Sequence, residues 1–122
     1  MKTPKEFLGR WRMVKTELWR PGTLDLVVPA HITFGDTCLG HFEMIAVQGE
    51  IDCRFENGRV DFSWMGDDDG EPSNGRGWAT VSAEPGTIEG RIYFHQGDDS
   101  GFLAKHETAP KKAPSRAAKR RQ

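Results

Sequence analysis

Within "HQGDDS" (95–100), a histidine, two aspartates and a serine fall inside six residues. A serine hydroxyl, an imidazole and a carboxylate are the nucleophile, base and orienter of hydrolytic catalysis, provided they lie within hydrogen-bond reach of one another. If the residues between His95 and Ser100 form a hairpin loop, those two face each other across the strands, and Asp98 or Asp99 can orient the ring. Such a cluster also needs donors aimed at a developing oxyanion and a pocket that excludes water, and an exposed hairpin tip has neither. The same residues make a good turn, with Asp and Ser side chains bonded to backbone and Gly97 at positive φ. The turn is the favoured reading. Hydrolysis by His95, Asp98, Asp99 and Ser100 stands as the alternative.

A second acidic run, Gly66-Asp67-Asp68-Asp69-Gly70-Glu71, carries the oxygen donors that a hard cation takes. Its spacing is wrong for an EF-hand: aligning Asp67, Asp69 and Gly70 to that pattern puts Met65 at the first ligand position and Arg76 at the last. It reads as a solvated acidic loop over 66–77. His31, His41 and His106 are scattered along the chain. Three imidazoles converging in one barrel could hold zinc, but no pair stands at local ligand spacing, so no metal and no other cofactor is expected. Cys38 and Cys53 match neither CxxC nor zinc spacing and are expected as free thiols, with a disulfide left open if their strands are neighbours.

Trp64 and Trp78 flank the acidic run, and in a barrel they could line its mouth, where apolar pockets with a few polar groups are common. That gives a candidate binding rim of Trp64, Asp67, Asp69, Trp78, His95, Asp98, Asp99 and Ser100. The function expected from it is a non-enzymatic binding module for a small apolar ligand or a protein partner.

The elements that must position these residues are strands. Fourteen glycines and seven prolines in 122 residues call for many turns, and the length allows one domain. Seven Phe and four Trp can close a small core. Thr3-Pro4-Lys5-Glu6 fits the start of a short helical turn, capped by Thr3 and stopped at Gly9. Strand signals then follow at 10–19, 24–28, 31–34, 38–49, 50–55, 60–65, 78–83, 88–95 and 100–106. Asn57-Gly58 is the strongest hairpin signal. Alternation puts Ile51, Cys53 and Phe55, then Val60, Phe62 and Trp64, and then Ile88, Ile92 and Phe94 on inward faces. The spacing predicts an all-β fold: a small antiparallel up-and-down barrel of about eight strands.

Phe7-Leu8-Gly9-Arg10-Trp11, a helical turn followed by Gly-x-Trp at the head of the first strand, resembles the opening of lipocalin and calycin barrels. The resemblance implies that Trp11 closes one end of the barrel under a basic side chain from a late strand, here Lys105 or Arg91, and that Gly9 and Trp11 are structural. The segments 51–55, 61–79 and 90–102 also resemble a group of small bacterial proteins of unknown function, which implies a shared fold and no mechanism.

Charge divides the chain. Residues 107–122 carry six Lys/Arg and one Glu; the remaining 106 carry 17 − 6 = 11 Lys/Arg against 18 − 1 = 17 Asp/Glu. The barrel, 1–106, is acidic, and 107–122 is expected to be a disordered basic tail capable of weak, nonspecific contact with nucleic acid. The body has no basic stripe interleaved with exposed aromatics, which disfavours a dedicated nucleic-acid surface. There is no apolar run long enough for a membrane helix and no apolar leader, so a cytoplasmic location is expected.

Overall fold

A computed structural model of the chain describes residues 1–108. Almost all of the proposed tail lies outside those residues. Eight strands close into one antiparallel barrel in sequence order: β1 Gly9–Thr16, β2 His31–Phe34, β3 Leu39–Met44, β4 Val47–Glu56, β5 Arg59–Asp68, β6 Glu71–Val81, β7 Thr87–Phe94 and β8 Asp99–His106. Closure of β1 on β8 leaves no sheet edge unpaired. The expected all-β up-and-down barrel is therefore the fold.

Alternation decides what lies inside. Trp11, Met13, Ile32, Phe34, Phe42, Ile51, Cys53, Val60, Phe62 and Trp64 are all buried. The large rings fit because glycine stands opposite them. A Cβ on Gly49 would lie 2.6 Å from the Phe42 ring and 2.8 Å from Trp64. The interior is thus occupied by the chain's own rings, as an eight-stranded barrel of this size allows.

One end is shut by aromatics. Phe7 packs on Phe34 and Phe55 with ring centroids 5.8 and 5.2 Å away, and the Trp11 Nε1–H donates to the Phe7 carbonyl at 2.8 Å. The residue over Trp11 is His106, its ring 4.8 Å away and its Nε2 2.9 Å from the Leu8 carbonyl. Neither Lys105 nor Arg91 takes that place: Lys105 is paired with Glu84, and Arg91 with Glu17 and Asp99. The exchange follows from alternation on β8, where His106 shares the inward face of Phe102 and Ala104 while Lys105 points out. Gly9 adopts φ +109, and a Cβ there would meet the His106 Nε2 at 2.9 Å, so Gly-x-Trp is a packing requirement.

Five expectations about elements are corrected. Lys5–Phe7 forms only a hydrogen-bonded turn, and the one helix among the described residues is α1, Pro21–Leu24. Thr3 does not cap that turn; its hydroxyl bonds the Gly35 carbonyl and accepts from the Cys38 amide. The apolar run 24–28 is not a strand: Pro21 starts α1, Leu24 is buried, and Leu26 and Val27 stand exposed in the β1–β2 connection. The run 38–49 is two strands joined at Ile45-Ala46, and 66–77 is not a loop. β5 and β6 continue through it to a tight turn at Asp69-Gly70, both at positive φ. Cys38 and Cys53 are neighbours, the Cys53 amide donating to the Cys38 carbonyl at 2.9 Å, and both thiols are free.

Candidate functional site

The up-and-down order gathers the β1–β2, β3–β4, β5–β6 and β7–β8 connections at the end opposite Phe7. There they surround a bowl of about 420 Å³. Trp19, Ile45, Val47 and Phe94 form its apolar wall, and Asp68, Ser73, His95 and Asp98 its polar edge. Trp19 meets Phe94 edge-on at 6.1 Å, and Phe94 in turn meets the buried Trp64 at 5.2 Å, so the floor of the bowl is the top layer of the core.

The wall is held from several sides. In the β1–β2 connection, the Arg12 guanidinium grips both oxygens of Asp25 at 3.1 and 2.6 Å, and Asp25 also accepts from the Ala30 amide at 2.9 Å. The hydrogen bond from Arg12 is the main cause that holds the Asp25 carboxyl below its ordinary pKa. The Thr16 hydroxyl and the Trp19 backbone bond each other in both directions, which fixes Trp19 above the bowl. Ile45 sits at φ 56, a left-handed backbone that a β-branched side chain adopts at a cost of about 1–3 kcal/mol, with its amide tied to the Leu24 carbonyl at 2.8 Å.

The expected rim residues divide. His95 and Asp98 line the bowl. Trp64 and Trp78 do not share a mouth: they lie on opposite faces of the sheet. Trp64 is inside, its Nε1–H donating to the Tyr93 carbonyl at 3.1 Å; Trp78 is outside, under the Arg59 guanidinium at 4.7 Å. Asp67 and Asp69 belong to the tip of the β5–β6 hairpin, where Asp67 accepts from the Gly70 amide at 3.2 Å. From that acidic run it is Asp68, between them in sequence and on the other face, that joins Asp98 at the bowl.

Nor does the 95–100 segment assemble a triad. The register pairs Ser100 with Ile92, not with His95. Ser100 is fully buried; its hydroxyl donates to the Gly101 carbonyl and accepts from the Leu18 amide, clamping the β1–β2 connection to β8. Asp99 is 2.5 Å from the Arg91 guanidinium. The turn itself is formed, but its positive φ falls on Gln96, not Gly97. Trp19, Ile45 and Phe94 were missed as site residues because each reads as an ordinary strand or core position.

On the outer face, His31 and His41 do come together, with ring centroids 5.6 Å apart, while His106 is at the closed end. Among the described residues no helix is long and apolar enough to cross a membrane. No family model, no curated protein and no solved structure matches the chain.

Proposed function

We propose that the chain is a non-enzymatic binding module that takes a small ligand in the rim bowl, with the ligand's apolar body against Trp19, Ile45 and Phe94 and a cationic or hydrogen-bond-donating group toward Asp68 and Asp98. The observation that carries this reading is the bowl itself: half-buried apolar side chains above a filled core, edged by carboxylates. Small-molecule sites pair apolar walls with placed polar groups, and in this bowl the polar edge makes up as much of the lining as the apolar wall. The backbone strain at Ile45 fits the same reading, since strained residues concentrate at binding and active sites. The lipocalin-like reading of Gly9-x-Trp11 belongs here too, with the difference that the ligand sits on the barrel's mouth and not within it.

The experiment is a fluorescence titration with N-phenyl-1-naphthylamine, a small apolar amine, monitored by energy transfer from tryptophan. The wild-type chain binds it. Trp19→Ala weakens binding at least tenfold, which is about 1.4 kcal/mol, while Trp78→Ala, on the outer face, leaves it unchanged. Equal binding by the wild type and Trp19→Ala would refute the rim site.

A further inference from the structure

A groove of about 380 Å³ crosses the outer face of β1, β8, β7 and β6. Trp78 and Leu103 give it an apolar lining, and Lys15, Glu17, Thr80 and Glu89 a polar one. Strand register sets one row across it: Lys15 stands opposite Leu103, Leu103 opposite Glu89, and Glu89 opposite Thr80. Lys15 reaches this row because β1 slips by one residue between Met13 and Lys15, which leaves Val14 without a partner on β8. Neighbouring strands lie about 4.8 Å apart. One ammonium and one carboxylate therefore flank Leu103 at the same distance, one strand away on either side.

The charges around this row are satisfied within the chain. Arg91 reaches past Gly101, which has no side chain to block it, to Glu17 at 2.7 Å, and it also holds Asp99. Lys105 pairs with Glu84, and the Arg59 guanidinium, bonded to Asp61, lies over Trp78. Lys15 and Glu89 are exposed, and among the described residues neither side chain has an ion-pair or hydrogen-bond partner. We propose that this face is the interface of a symmetric homodimer, with Leu103 packed on Leu103 and Lys15 of each copy paired with Glu89 of the other.

Two-fold symmetry makes the row self-complementary. An axis along β8 over Leu103 exchanges the two sides of that strand. It sets Lys15 of one copy above Glu89 of the other, and does so twice, as an isologous interface requires. An axis across the strands would set Lys15 on Lys15 and Glu89 on Glu89, where like charges repel. The charge pattern thus selects one orientation. No net repulsion opposes the approach of two copies, because the full chain has a formal net charge of only -1. The closed sheet leaves no edge for strand pairing, so a second copy meets side chains alone. A contact centred on one row of a convex barrel is narrower than the roughly 800 Å² per partner of a stable complex, so the dimer is of the weak, reversible class.

The test is sedimentation velocity on the full chain, from micromolar to millimolar concentration at moderate ionic strength. The wild type is expected to move from monomer toward dimer as concentration rises. Lys15→Glu and Glu89→Lys, both at exposed positions, each weaken association by about tenfold or more. Mixed in equal amounts, the two variants regain it, because each supplies the charge that the other lacks at both contacts. The double variant K15E/E89K regains it alone. Glu50→Lys makes the same change in net charge on β4, the opposite side of the barrel, and leaves association unchanged. The proposal is overturned if the wild type stays monomeric at millimolar concentration, if either single reversal associates as well as wild type, or if the mixture stays monomeric. Dissociation by Glu50→Lys as complete as that by Glu89→Lys would also overturn it, since net charge and not this pairing would then set the equilibrium.

Discussion

At the scale of single residues, the glycines inside the barrel matter because of the rings opposite them. Gly49→Ala places a methyl 2.6 Å from Phe42 and 2.8 Å from Trp64, two rings that already pack edge-to-face at 5.0 Å. Overpacking of this kind costs about 1–3 kcal/mol, and the urea midpoint should fall accordingly with the slope unchanged. Cysteine chemistry is set by burial in the same core. Desolvation, with a smaller contribution from the neighbouring Cys38, pushes the Cys53 thiol up to about 12. The thiolate is the reactive form, so native Cys53 should take no iodoacetamide adduct at pH 8, whereas the urea-unfolded chain should be alkylated at both cysteines. Peptide mapping by mass spectrometry reads both states.

At the scale of elements, the β1–β2 connection shapes the mouth, and one carboxylate ties it down. Because the folded-state pKa of Asp25 is depressed, its contribution to stability is complete above the ordinary value of 3.8 and is lost as pH falls through that value toward the lower folded one. Asp25→Asn should therefore be less stable than wild type at pH 6, and in thermal melts the gap should narrow progressively as pH falls below 3.8. Glu17, held low by the Gly101 amide and Arg91, adds the same trend to both proteins. Legibility in sequence also varies by element. The hairpin at Asn57-Gly58 was plain, because both residues favour the positive φ they adopt. Asp69-Gly70 makes the same kind of turn, but Gly66, Pro72, Asn74 and Gly75 beside it mimic a loop. Gly66 and Gly75 are in strands where a neighbouring carbonyl comes so near that a Cβ would lie 1.9 and 1.8 Å from it. The Ile45-Ala46 turn has no turn residue at all; tertiary contacts impose it. For the candidate site, His95 and Asp98 were found because polar clusters stand out in sequence, and Trp19, Ile45 and Phe94 were not, because only barrel closure brings them together.

At the scale of the molecule, a closed sheet offers no edge strand for a partner to extend, so recognition falls to the mouth or the outer face. The acidic balance of the barrel, with carboxylates at the mouth, favours ligands with a cationic group and predicts an affinity that weakens as salt screens that attraction. The central claim is that the interior is filled and the rim binds. The most direct test is amide shift mapping by NMR on the labelled full chain, titrated with N-phenyl-1-naphthylamine. The account predicts the largest shifts at Trp19, at 45–47, at 68–73 and at 94–98, with Ile51, Cys53 and Val60 nearly unmoved. Large shifts at those three core positions, with the rim silent, would place the ligand inside the barrel and contradict the account.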